Sequence, residues 1–473
     1  MIKAILSNRI FKNFSILTGT NIFIQLISIL TSIRLTRLLQ PEGYGLYNLM
    51  MVEIGIFSIV AVYGLRLVIV RYVARNKSHS RYVFDVSNRI RLVTTLIAIL
   101  CLVTYNLLIN EVQFTSYMVF ILSMCVFFQS SWDSIESIAF GNEKMAASGY
   151  INLLFTTLWV ASIFIIPKAN FNIEVLFTVF AVIQLLKTIT FYLWFNWEIP
   201  RLKEPIDVDP GINYSFFIRQ SNYYFILAIF STIQSQIPVL LLNQNSTLEQ
   251  VGVFNLGYRI LSPLSMVLNT ALVSLYPSLA RLAFENKELF TKNIKILINL
   301  LAVIGIAACL CFTLFSEEVV LLMFGKAYLG SVKVILIQCW FTLLFGIFST
   351  IGTVLSSFDR QRQLAVLSIV HGVLAIPVLY IGTKYGAIGL AWAFVISGCI
   401  NMTYHWVIFS RLLSPYLNMG YSVKLFSLLA ITAVFSLFVP FEFGIGVKFL
   451  AFVSIAIIAG SYIKKKVETM LKS

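Results

Sequence analysis

Apolar runs of about 18 or more residues recur along nearly the whole chain, each long enough to cross a hydrocarbon layer of about 30 Å at about 1.5 Å per residue. A backbone inside lipid must satisfy its own N–H and C=O groups, so these runs read as helices. About fourteen spans fit between Phe14 and Ile463, and the expected fold class is an all-α polytopic membrane protein. Composition leaves no soluble alternative: 59% of the 473 residues are hydrophobic and 12% are charged, too few to cover an aqueous surface.

The formal net charge of +15 would suit a nucleic-acid partner if it formed one soluble basic face, which it does not. The basic side chains sit in short loops at every second crossing. Lys3, Arg9, Lys12, Arg71, Arg75, Arg89, Arg91, Lys144, Arg201, Arg281, Arg360 and Lys464 fall on one side, against Arg37, Lys168, Lys326, Lys333, Lys384 and Lys448 on the other. The positive-inside rule then sets both termini in the cytoplasm. The six cysteines lie in apolar spans without a C-x-x-C pair or a histidine at metal spacing, and read as packing residues. The first apolar run is too long for a secretory signal, so it is expected to stay in the protein.

Val251–Arg281 is an apolar helix with an arginine far from either end. At about 100° per residue, Asn255, Arg259, Ser262, Met266 and Asn269 share one face. An arginine there costs about 2.5–3.5 kcal/mol on insertion scales, so it faces either a wet cavity with an anionic partner or a structural ion pair between helices.

Other spans carry polar stripes. Span one places Thr18, Asn21, Gln25, Ser28, Ser32 and Thr36 on one side, either wet or bonded to a neighbouring helix. Span two holds Glu53 near its outer end and Arg66 toward the cytoplasm, and both are candidate site residues. Span four carries Gln129, Asp133 and Glu136 on one face. Those carboxylates, with Glu53, would couple to a proton or cation, or they pair with Arg71, Arg89 or Arg91. Lys187 in span six is expected to snorkel to the interface. In span seven Gln220, Tyr224 and Gln234 form a stripe behind Arg219, and His371 and His405 are either hydrogen-bonded core residues or proton switches.

The chain also repeats itself. NYSFFIRQSN from Asn213 resembles NFSILTGTN from Asn13, QVGVFNL from Gln250 aligns with GYGLYNL from Gly43, and SLARL from Ser278 follows as RYVAR does from Arg71. Six spans separate the copies, so the repeat is parallel. The Pro- and charge-rich connector Asn196–Tyr214 divides a six-helix lobe over 1–205 from a second over 206–415, and 416–473 adds two spans and a basic tail. The site is expected between the lobes.

No phosphate-binding G-x-x-x-x-G-K-[ST] loop, metal constellation or Ser/His/Asp set appears, so no cofactor, metal or covalent catalysis is expected. RLTRLLQPEGYGLYNL, VRYVAR, QVGVFNLGYRILSPL with PSLAR, and YGAIGLAWAF together resemble the polysaccharide transporter branch of the multidrug/oligosaccharidyl-lipid/polysaccharide exporter superfamily, the Wzx-type O-antigen or capsule flippases. The resemblance implies a substrate of oligosaccharide on undecaprenyl diphosphate, moved outward by alternating access. It also implies membrane lipid, a polysaccharide polymerase and glycosyltransferases as partners, and no enzyme activity. By the same resemblance spans one, two, seven and eight line the cavity and Arg259 is its cationic position; Arg66 and Arg219 are expected to assist it in neutralising the diphosphate. Two other activities belong to the same superfamily, multidrug antiport and peptidoglycan-precursor flipping.

Overall fold

The structure, a computed structural model, describes residues 9–110, 114–168, 171–199, 213–358, 360–413 and 446–451, with isolated positions 112, 453, 454, 457 and 461. Among the described residues the regular structure is helical: α1 (Arg9–Val62), α2 (Leu65–Arg75), α3 (Ser80–Leu108), α4 (Ser116–Gly141), α5 (Met145–Ile165), α6 (Ile173–Glu198), α7 (Tyr214–Ser235), α8 (Ile237–Asn245), α9 (Leu248–Glu285), α10 (Lys287–Met323), α11 (Ser331–Ser357), α12 (Gln361–Thr383) and α13 (Gly386–Leu413). The first twelve expected spans fall on these helices, the thirteenth lies outside the described residues, and the fourteenth begins in the helical turn at 446–451. Among the described residues seven helices are long and apolar enough to cross a membrane, and α7 with α8 adds an eighth if the two, bent by 41°, count as one. The fold is that of an all-α polytopic membrane protein.

Local chemistry explains the breaks. Gln40 takes φ 57° and ψ 175° ahead of Pro41, whose ring excludes helical geometry from the residue before it, and this divides α1 into the limbs expected of spans one and two. Span two breaks again at Tyr63 (φ 52°) and Gly64 (φ 66°). A Cβ on Gly64 would stand 2.6 Å from the Phe225 backbone nitrogen and 2.8 Å from the Ser221 carbonyl oxygen, so only glycine permits this approach of span two to α7.

The contacts group the chain into two compact units, Met1–Leu240 and Leu241–Ser473. The division falls after α7, later than the connector at 205/206, because α7 packs on α2 inside the first unit. There Leu65, Ile69, Val73, Ile135, Ile138, Phe191, Phe195 and Phe217 are buried together. In the second unit Leu261, Leu268, Leu297, Leu301, Leu343 and Val354 of α9, α10 and α11 form the core. Leu92, Leu96 and Leu100 on α3 and Leu186 and Leu193 on α6 stay exposed, as lipid-facing side chains do.

Candidate functional site

The short helix α2 sets the geometry of the first unit. Its start is fixed by the Tyr63–Gly64 break, where the Tyr63 hydroxyl donates to Asn222 Oδ1 at 2.7 Å and the Tyr63 and Phe225 rings lie 4.6 Å apart. Its far half lies so close to the end of α4 that a Cβ on Gly141 would fall 2.7 Å from Val73 Cβ. Arg66, in the first turn of α2, is thereby held against the carboxylate face of α4.

Four charges meet there. Arg66 pairs with Asp133 through one guanidinium nitrogen and with Glu136 Oε2 at 2.7 Å through the other. Arg91, from α3 and only 2% exposed, pairs with Asp133 Oδ2 at 2.8 Å and donates to the Ser130 carbonyl at 2.8 Å. Glu136 also accepts from the Ser148 hydroxyl at 2.5 Å and from Asn152 Nδ2 at 2.7 Å. Two guanidinium groups and two carboxylates sum to zero formal charge, the condition under which buried ions persist in a low-dielectric interior. The i, i+3 spacing of Asp133 and Glu136 made the shared face legible, and Arg91 was among its expected partners; the second partner is Arg66.

Lys187 departs from its expected place. Its ammonium lies 3.4 Å from the Trp132 ring centroid instead of reaching for the interface. The reason is electrostatic: it stands in the field of Glu136 and Asp133 and over the negative face of an indole whose Nε1–H donates to Gln184.

Glu53 is fully buried and accepts from Asn106 Nδ2 at 2.9 Å and Asn110 Nδ2 at 3.1 Å. Among the described residues no cationic side chain pairs with it. These asparagines stand i, i+4 at the end of span three, a spacing that sequence reading did not take up.

The stripe of span one divides along its length. Asn21 is exposed and Gln25 half-buried, whereas Ser32 and Thr36 are buried and donate to their own helix carbonyls at Ser28 and Ser32. On α7, Arg219 and Gln220 are exposed, and Tyr224 and Gln234 are half-buried. In the second unit Arg259 is half-buried on α9, its carbonyl accepting from the Ser262 hydroxyl at 2.9 Å, and Asn255 Nδ2 donates to the Val251 carbonyl. The side chains of Thr18, Asn269 and His405 lie outside the described residues. His371 is buried, with Nε2 3.0 Å from the Ser397 hydroxyl. An apolar cavity of about 370 Å³ is lined by Cys311, Phe312, Phe315 and Val319 of α10 with Phe449, and Lys448 pairs with Glu318 at 2.5 Å beside it. Among the described residues no His, Cys, Asp and Glu side chains gather as metal ligands would.

The same fold occurs in solved structures. "Lipid II flippase MurJ, inward closed conformation" superposes with TM-score 0.69 at 15% identity, covering 95% of this chain and 99% of that one. An inward-facing multidrug resistance MATE transporter of the MOP superfamily gives 0.61 at 14% identity, covering 82% and 95%. A MOP superfamily transporter from Pyrococcus furiosus, described as having a binding pocket of reversed polarity, gives 0.56 at 14% identity, covering 85% and 96%. No curated protein matches the sequence. Residues 10–283, more than half of the chain, match the model of a family described as polysaccharide biosynthesis protein, and the chain belongs to that family.

Proposed function

We propose that the protein is a flippase that moves an oligosaccharide linked to undecaprenyl diphosphate from the cytoplasmic to the outer leaflet by alternating access, with both termini in the cytoplasm. The observation that carries this reading is the family match over residues 10–283, joined to a fold similar to that of a lipid flippase along 95% of the chain. In this reading Arg259 neutralises diphosphate on α9, with Asn255 and Asn269 beside it. On the first unit Asn21, Gln25, Gln220, Tyr224 and Gln234 bond sugar hydroxyls, and Arg219 draws in the anion. Arg66 assists from a weaker position, since Asp133 and Glu136 already compensate its charge. The apolar cavity at Phe312 and Phe449 suits a prenyl chain.

Outward movement of an anionic head group is electrically downhill, by about 2.3 kcal/mol per charge at 100 mV inside negative. Any ion coupling is assigned first to Glu53, whose partners are neutral carboxamides, and only then to Asp133 and Glu136, whose charge is matched within the protein.

The test is flipping of labelled prenyl-diphosphate oligosaccharide by the full-length protein in proteoliposomes. Arg259→Ala is expected to lower the rate at least tenfold and Arg259→Lys to retain part of it; an unchanged rate in Arg259→Ala removes that residue from the mechanism. A second reading, flipping of the peptidoglycan precursor, draws on the likeness to MurJ and is decided by giving the same liposomes Lipid II. Multidrug antiport calls for an anionic pocket, and the mid-helix charge of α9 is positive.

A further inference from the structure

Between α2 and α7, within the first unit, lies a cleft of about 210 Å³. Arg71 and Arg75 line it from α2, Gln220 and Tyr224 from α7, and Tyr72 and Phe216 complete its aromatic wall. That wall is fixed: the Tyr72 hydroxyl bonds His79 Nδ1 at 2.9 Å, and its ring meets Phe216 and Phe217 edge-on at 6.3 and 5.9 Å.

The partners of the neighbouring cations single this cleft out. Seven Lys and Arg residues lie between Arg66 and Arg91. Arg66 and Arg91 pair with Asp133, Lys77 with Glu143 at 3.2 Å, Arg81 donates to Asn196 and the Ile199 carbonyl, and Arg89 to the Tyr214 hydroxyl. Arg71 and Arg75, both exposed, have neither an ion pair nor a hydrogen bond among the described residues. They stand i, i+4 on one face of α2, where like charges repel until an anion lies between them.

The lining supplies two guanidinium forks, a carboxamide and a phenol, and no carboxylate. Such a set matches the oxygens of a phosphate, which accept bidentate hydrogen bonds from arginine. The volume falls below the roughly 300–1,000 Å³ of pockets that enclose drug-sized ligands, so it admits a head group and excludes a sugar chain. Leu67, one turn before Arg71, is exposed, which places an apolar, lipid-facing surface beside the cleft.

We propose that this cleft binds the phosphate of a lipid head group, with the tail left in the bilayer. Two lipids carry that chemistry: an anionic phospholipid, or the prenyl diphosphate of the proposed substrate. Only the second source rests on the flippase reading.

The full-length protein in phosphatidylcholine nanodiscs provides the test, with two probes titrated separately, fluorescent phosphatidylglycerol and fluorescent prenyl diphosphate. The Arg71→Gln/Arg75→Gln variant is expected to lose at least tenfold in affinity for one probe or both. Arg71→Lys/Arg75→Lys should fall in between, because it keeps the charge but not the planar fork. Lys287→Gln/Lys292→Gln, which removes two exposed charges from the start of α10, should change binding less than twofold. Loss confined to phosphatidylglycerol assigns the phospholipid, and loss confined to prenyl diphosphate assigns the substrate; both support the site. If Arg71→Gln/Arg75→Gln loses no more than the Lys287→Gln/Lys292→Gln control for either probe, the site is overturned. Wild-type probe binding in a protein that flips neither lipid-linked oligosaccharide nor Lipid II upholds the site while removing the flippase reading.

Discussion

Helix α2 holds three arginines in eleven residues, and its two ends surround them differently. At the start, Arg66 meets two carboxylates, one of which, Asp133, also serves Arg91, and the four charges cancel. At the end, Arg71 and Arg75 face a cleft lined by neutral donors. Residue type alone therefore does not mark a ligand site in a membrane helix. What separates a structural cation from a binding cation is whether the protein itself brings the counter-charge. The cancelled cluster resists change because each ion depends on the others, whereas the cleft gives up little when its arginines are removed.

The largest effect should follow from unbalancing the cluster. Asp133→Ala leaves Arg91, 2% exposed, with the Ser130 carbonyl as its remaining acceptor among the described residues, and removal of one member of a buried pair costs about 3–5 kcal/mol. The thermal midpoint in detergent, read by size-exclusion fluorescence, should drop sharply, or the monodisperse peak should vanish. Arg91→Leu/Asp133→Leu keeps the sum neutral, with Arg66 still on Glu136, and should recover most of the loss. An Asp133→Ala protein as stable as wild type would break the comparison, because its cancelled end would then hold nothing together.

Next comes the break that aims both ends of α2. Gly64→Ala puts a Cβ into backbone atoms of α7 at a positive φ, where a non-glycine residue costs about 1–3 kcal/mol before any clash. Because the break sets where Arg66, Arg71 and Arg75 stand, this variant should lower the midpoint and weaken phosphate-probe binding together. A lowered midpoint with unchanged binding would show that the two ends are positioned independently.

The sequence showed much of this and missed particular parts for identifiable reasons. The spans were legible because lipid leaves the backbone only one local solution, and the shared face of Asp133 and Glu136 because i, i+3 spacing is a property of one helix. Which helix supplies the counter-charge is a property of packing. Arg66 therefore read as a helper for substrate, and Lys187, with nothing local to pull it inward, read as a snorkelling side chain. Asn106 and Asn110 had the right spacing to hold Glu53, yet nothing in span three points to span two. The stripe of span one was visible, but periodicity does not say whether a hydroxyl bonds water, a neighbour or its own helix, and Ser32 donates to the Ser28 carbonyl of α1. The cleft needed two helices about 145 positions apart in the chain to converge, which no window of sequence displays.

Smaller effects separate the two ends more finely. Glu136→Gln keeps an oxygen for Ser148 and Asn152 but turns a carboxamide nitrogen toward Arg66, so one ion pair is lost. Arg66 retains Asp133 and its side chain is 38% exposed, so water takes up much of the difference and the cost should be about 1 kcal/mol. A midpoint drop as large as that of Asp133→Ala would mean that Glu136 carries the cluster.

The smallest stability change belongs to Arg71→Gln/Arg75→Gln. Both side chains are exposed and neither is bonded within the described residues, so their loss should shift stability by no more than about 0.5 kcal/mol. Relief of the i, i+4 repulsion could even raise the midpoint slightly. The expected signature is thus a dissociation, with phosphate-probe affinity down tenfold and the thermal midpoint unmoved, the reverse of Glu136→Gln, where binding should hold while the midpoint drops. A midpoint loss in Arg71→Gln/Arg75→Gln comparable with that of Asp133→Ala would place these arginines in the same structural class as Arg66, and the contrast between the two ends of α2 would collapse.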